Sequence, residues 1–299
     1  MQALIQLDRT MGSGALLAAS EAEYQLIDDL IGRTARTDDM AGEMRVLAAT
    51  AGGIAGWIAY DNDDPHSSRR HYASAICFAA AARAQDLSVY LALHLANLCC
   101  DTGKPAEALS LLKAVEDTVD CDELSSRTLA SMHAAGAHAY ARLGDATGYA
   151  RCRDDALIAL QCDNGRPGTP LNSWLTPTIL DVDLGVGLIH LRQYRRAIHH
   201  FTSLHTGAYC TTKDRRSAAI HFTQAAMAHV YDGTLDEAVH YATRARELLC
   251  SIRSPRASRK FSQLSSAFSA HSAHPAVRAF RREGSAVVWR PYGRGTDKE

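Results

Sequence analysis

Between Leu91 and Val115 the chain carries two apolar stripes at helical spacing, Leu91/Leu95/Leu98 and Ala108/Leu111/Leu112/Val115, parted by Thr-Gly-Lys-Pro. Gly103 suits the left-handed end of a first helix, and Pro105 suits the first turn of a second, where its missing N–H costs nothing. The Gly-Lys pair is not a phosphate loop: that motif needs GxxxxGK[ST], whereas Leu98 stands at the first glycine and Pro105 follows Lys104. The same grammar returns along the chain. Turn positions fall at Asp63, Gly103, Gly144, Arg192 and Gly233, spaced 40–48 residues apart. Seven residues before each turn stand Gly56, Ala96, Ala137, Gly185 and Ala226, all small; five after stand Ser68, Ala108, Tyr149, Ala197 and Ala238. Small residues at fixed offsets from a turn mark where two helices of a hairpin cross closely.

This pattern resembles the tetratricopeptide repeat, with its small residue at the eighth position, turn near the fifteenth, Ala at the twentieth and a small residue near the twenty-seventh. Ala75, Val115, Ala156, Leu204 and Ala245 fill the last slot. The fit is good in the second, third and fifth copies; Ser68 replaces Ala in the first and Arg192 replaces Gly in the fourth. A lone hairpin cannot bury its apolar face, so stacked neighbours bury it together. The resemblance therefore implies an all-α, right-handed tetratricopeptide-like solenoid of about five to six hairpins over residues 1–283, with a curved groove and a tail at 284–299. The periodicity predicts helices over 20–31, 42–61, 66–84, 87–101, 105–118, 123–143, 146–161, 177–191, 194–204, 215–231, 235–250, 256–269 and 274–283. The stretch DNGRPGTPLNSW, 163–174, reads as a loop. It is either an inter-repeat connection or a lid over the groove, and Trp289 is a candidate docking point for the tail.

No apolar run approaches the roughly 18 residues of a membrane span, and the first residues lack the pattern of a secretory signal. Eight cysteines, at 77, 99, 100, 121, 152, 162, 210 and 250, form no CxxC and read as thiols rather than a disulfide framework. A cytoplasmic protein is expected. Charge is uneven: residues 251–299 hold ten Lys/Arg against three Asp/Glu, on a body of the opposite sign. If this basic end met nucleic acid, Arg253, Arg256, Arg259, Lys260, Arg278, Arg281 and Arg282 would supply the phosphate contacts.

A narrower resemblance rests on LDRTMGSGALLAASEAEYQLIDDLI, LAATAGGIAGWIAYDNDDPHSSRRHYASAICFA and AHAYARLGDATGYARCRDDA. These look like the repeat region of actinobacterial transcriptional regulators, which carry a xenobiotic-response-element-type helix-turn-helix ahead of such repeats. That domain needs about 55–60 residues and would precede residue 1. The expectation is thus a stand-alone sensor-like repeat protein, or a chain whose start was misplaced, with no direct DNA reading of its own. The resemblance implies a regulatory, transcription-linked role.

In such arrays the first helices of the hairpins line the concave face. Mapping the inward positions gives Trp57, Tyr60 and Asp61 in the first copy, Tyr90 and Asn97 in the second, and His138 and Arg142 in the third. In the fifth it gives Ile220, Thr223, Met227, Val230 and Tyr231. Aromatic rings with scattered hydrogen-bonding groups suit a protein, peptide or small-molecule partner. A homodimer is a further possibility.

No cofactor or metal site is expected. Fourteen histidines lack the i, i+4 pairing of a helical zinc site, GxSxG is absent, Cys99 and Cys100 have only His94 close by, and Asp181/Asp183 stand too near each other to flank a substrate. The leading expectation is a non-enzymatic interaction or sensor module. The competing one is an enzyme of secondary metabolism on a repeat scaffold, which needs a deep pocket beneath 163–174.

Overall fold

The computed structural model describes residues 1–34, 38–162, 164–205 and 214–284. Among them there are no strands. The helices are α1 (Gln2–Met11), α2 (Leu17–Thr34), α3 (Asp38–Asp61), α4 (Pro65–Ala81), α5 (Gln85–Asp101), α6 (Pro105–Glu116), α7 (Ser126–Leu143), α8 (Ala146–Gln161), α9 (Pro177–His190), α10 (Tyr194–Phe201), α11 (Arg215–Asp232), α12 (Leu235–Leu249), α13 (Pro255–Ala267) and α14 (Pro275–Gly284). Neighbours in sequence pack as pairs: α3 with α4, α5 with α6, α7 with α8, α9 with α10 and α11 with α12.

All five turn positions take the left-handed conformation, with φ of 59° at Asp63, 81° at Gly103, 79° at Gly144, 59° at Arg192 and 82° at Gly233. Each closes with the same two backbone bonds. At Gly103 its own amide donates to Cys100 O at 3.1 Å and the next amide, of Lys104, donates to Cys99 O at 2.8 Å. These reclaim carbonyls that a helix end leaves unpaired. Asp63 and Arg192 adopt this geometry despite carrying a Cβ, at a cost of about 1–2 kcal/mol each. A sixth such turn, at Arg83 between α4 and α5, has φ of 55°. Helix starts are equally local. Asp64, Ser125, Asp145, Thr176, Asp214 and Ser254 each cap the amide three residues on, and proline opens α4, α6, α9 and α13.

The small residues sit where helices cross. Ser68, Ala108, Ala197 and Ala238 are fully buried, as are Ala75, Ala156, Leu204 and Ala245. A Cβ on Gly56 would stand 3.1 Å from the Tyr72 ring, and one on Gly185 would stand 2.8 Å from His200 Cβ. Tyr149 is the exception among the residues after the turn. Its ring is admitted because Gly187 lacks a side chain, and its hydroxyl donates to Leu184 O at 2.8 Å.

Three differences from the predicted elements bear on the site or its neighbours. Helix α1 was not expected, although Leu4, Leu7 and Met11 stand at helical spacing; its only fully buried residue is Asp8. The helix predicted at 123 begins at Ser126, after a short 3₁₀ turn, because the Ser125 cap sets its start. The element predicted over 194–204 changes from α to 3₁₀ at Thr202. Cys210, the tail from 285 and Trp289 lie outside the described residues.

The first helices of the pairs, α3, α5, α7, α9 and α11, contact one another in succession, and α13 follows α11. α13 then returns to α3, so this inner layer closes on itself. The junction is a backbone clasp: Arg253 N donates to Met11 O at 2.7 Å and Gly14 N donates to Arg253 O at 2.8 Å. Gly12, with φ of 79°, permits it, since a Cβ there would lie 2.4 Å from Arg253 O. The groove that the repeat pattern leaves open is thus filled by α1, α13 and the segment after α8. α5 and α11 are consequently buried along nearly their whole length and on every face.

Candidate functional site

The inner layer converges on a buried polar cluster at the closure. Asp61, at the end of α3, is fully buried and is the hub. Its carboxylate accepts from Ser13 Oγ at 2.6 Å, Ser254 Oγ at 2.9 Å and Arg256 Nε at 3.2 Å. Burial alone would raise its pKa; Arg216 and Arg256, helped by the two hydroxyls, outweigh burial and hold it below the ordinary carboxylate value. Asp8, from α1, pairs with Arg216 Nη1 and accepts from Trp57 Nε1 at 3.1 Å. Here burial wins over Arg216, and the Asp8 pKa is raised.

The cations lie on aromatic faces. Arg216 stands 4.9 Å from the Trp57 ring centroid, while Arg256 stands 5.1 Å from Trp57 and 4.5 Å from Tyr60. Tyr60 donates its hydroxyl to Asp101, which lies 3.7 Å from Lys260 Nζ. Despite burial, Lys260, His138 and Tyr60 together bring the Asp101 pKa well down. His94 fills an aromatic box, edge-on to Trp57 at 5.4 Å and Tyr90 at 4.5 Å and stacked on Tyr72 at 5.9 Å. Burial depresses its pKa to about 3, so the ring is neutral. His138 stacks on His190 at 5.7 Å, and burial lowers both, His190 to about 3.

The structure therefore brings Trp57, Tyr60, Asp61 and Tyr90 into one cluster, and His138 reaches it through Asp101. Arg142 lies near His138, half-buried, and Asn97 is half-buried on α5. From the fifth copy, Ile220 and Thr223 are buried, whereas Tyr231 is 50% exposed and pairs with Tyr194 at 5.1 Å, away from the cluster. Three principal members were not among the inward positions read from sequence. Arg216 lies one helical turn before Ile220 on the same face, so extending the register back four residues would have found it. Arg256 was read as a phosphate contact. Asp8 belongs to no repeat, and no sequence signal marks it.

The basic end is largely committed internally. Arg256 and Lys260 pair with Asp61 and Asp101, Arg259 pairs with Asp63 at 2.8 Å, and the backbone of Arg253 forms the clasp. Arg278, Arg281 and Arg282 line an open surface cleft of about 400 Å³ with Ser272. Residues 164–168 are exposed, and from this segment Leu171, Asn172 and Trp174 pack into the inner face. Asn172 is 1% exposed and bonds Ser131, and Trp174 Nε1 reaches Tyr90 Oη at 3.5 Å. Leu171 reaches the wall at Gly53. These three side chains fill the inner face beneath the segment.

Burial raises the thiol of Cys100 to about 12 and also raises that of Cys99, which keeps both protonated and weakly nucleophilic. Asp181 and Asp183 bind His200 at 2.7 Å and His221 at 3.1 Å respectively. No cluster of metal-ligating side chains occurs among the described residues, and none of their helices is long and apolar enough to cross a membrane. No protein-family model matches the chain, and no curated protein matches it.

Proposed function

We propose that the chain is a tetratricopeptide-type solenoid that acts by binding, as an interaction or sensor module linked to gene regulation. The carrying observation is the inner cluster itself, where helices from across the array bring Trp57, Tyr60 and Tyr90 together with Arg216 and Arg256 beneath α1. Guanidinium groups stacked on aromatic rings recognise side chains and carboxylates, and large aromatic and arginine residues dominate protein interfaces. The five identical turns and their buried crossing residues support the repeat assignment. The transcription link is the one implied by the resemblance of the 5–283 region to regulator repeat domains.

The test is capture of partners from native extract by the immobilised full chain. Replacing Trp57 and Tyr90 by Phe, which keeps the packing but removes the indole N–H and the hydroxyl, should weaken capture while far-ultraviolet circular dichroism stays helical. Undiminished capture by that folded variant overturns the assignment.

A further inference from the structure

We propose that the Arg216–Trp57–Arg256 cluster is a receptor for a carboxylate carried on a short helix of a partner protein, and that α1 is the chain's own occupant of that receptor. This rests on the binding function proposed above and names the chemistry of its partner.

The argument begins with how α1 is held. Of its ten residues only Asp8 is fully buried; Leu7 is 41% exposed and Met11 56% exposed. A helix packed for its own stability buries an apolar stripe. This one leaves Leu4 and Ile5 only half-buried, and the one group it buries fully is a carboxylate. It is followed by Gly12 and Gly14, and Gly12 takes a backbone conformation that few other residues adopt. α1 is therefore a ligand-like appendage that enters the site just ahead of the clasped Gly12–Gly14 segment.

Asp8 also matches its site incompletely. Its Oδ2 accepts from both Arg216 Nη1 and Trp57 Nε1, while its buried Oδ1 and the buried Nε of Arg216 have no hydrogen-bond partner. A carboxylate free of this tether could present both oxygens to the guanidinium fork, the stronger two-bond geometry. The donors left behind point the same way. With Asp8 withdrawn, Arg216, Arg256 and Lys260 face Asp61 and Asp101 in the interior, with Asp214 on the rim 3.7 Å from Arg216. Without Asp8 the buried donors Arg216 Nη1 and Trp57 Nε1 lose the acceptor they share, so an occupant that brings a charged acceptor is favoured over an apolar or basic one.

The probe is a fluorescent synthetic peptide of residues 1–16, with an Asp8→Asn peptide as control, titrated into full-length wild-type chain and full-length Asp8→Ala. Asp8→Ala should bind the acidic peptide at least tenfold more tightly than wild type, and the Asn peptide should bind at least tenfold more weakly than the acidic one. Equal affinity for the two chains, or for the two peptides, overturns the proposal. Should Asp8→Ala fail to fold, hydrogen exchange on the wild type decides. A large excess of acidic peptide should speed exchange of the α1 amides and leave α3 protected; unchanged α1 exchange overturns the proposal. A wild-type dimer that exchanges α1 between copies would also overturn it, by making a second copy the occupant. Native-partner capture without peptide binding would sink this inference alone. Peptide binding without native-partner capture would sink only the broader function.

Discussion

The seams between hairpins and the closure of the array obey different rules. At the seams, alanine and glycine let backbones approach, the contacts are apolar, and each turn is settled by residues within a few positions of it. At the closure, contact is made by ionised groups distant in sequence, with Asp8 bound to Arg216 and Asp61 to Arg256. Apolar seams tolerate many partners of the right size, whereas buried charges tolerate few. The seams thus make the bricks, and the closure selects which two ends meet.

The largest expected effect of a single substitution probes the closure. Asp61→Ala leaves Arg256 and Arg216 short of a buried counter-charge, and urea unfolding should show a loss of about 3–5 kcal/mol. The double variant Asp61→Leu with Arg256→Met should recover more than half of that loss. A double variant as weak as the single one would mean that the charges stabilise the fold instead of only specifying it.

Acid should weaken the interior next. Burial holds His94 and His190 at about 3, against an ordinary 6.5. Below pH 6.5 the unfolded chain binds protons that these folded histidines refuse, so stability falls as pH drops from 6.5 towards 3. The slope is about 1.4 kcal/mol per pH unit for each histidine. His190→Gln should flatten it by one histidine's share. Asp61 and Asp101, whose pKa values are lowered, lose their contribution only as pH falls below about 3.9, so the two phases separate. Asp8, with its raised pKa, acts in the opposite sense just above that range, where the folded chain takes up its proton before the unfolded chain does. A stability profile flat between pH 6.5 and 4.5 would contradict buried neutral imidazoles.

The seams should show smaller, size-dependent effects. Ala197→Leu, at a fully buried crossing, should cost about 1–3 kcal/mol by overpacking, and Ala106→Leu, on the exposed face of α6, should stay within about 0.5 kcal/mol. Smallest is the turn. Arg192→Gly relieves a left-handed residue and should gain about 0.5–1 kcal/mol in thermal or urea unfolding, while Gly144→Ala should lose about 1 kcal/mol. Equal responses at the two positions would undo the equivalence of the turns.

This contrast also explains what was legible in the sequence. Gly103, Gly144 and Gly233 announce left-handed turns by residue type, and Asp63 and Arg192 are found by spacing alone; all five are local decisions. Trp57, Tyr60 and Tyr90 follow from helical register once the repeat is seen. Asp8 and Arg216 lie 208 residues apart, and no period links them. Their meeting depends on the accumulated curvature of every intervening hairpin, which no window of sequence contains. Arg256 shows the same blindness differently: in sequence it is one of a run of surface-like cations, and only its place opposite Asp61 makes it a core residue.

The clasp of Gly12 and Gly14 on Arg253 has a consequence for how such a chain can change over evolutionary time. Linear arrays grow or shrink by whole units, because each unit needs only its neighbours. Here an added or deleted hairpin would displace one end from the other by about 10 Å, the spacing of packed helices, and the backbone bonds at 2.7 and 2.8 Å would have nothing to meet. The number of units is therefore frozen, and variation is confined to substitutions within a circuit of fixed circumference.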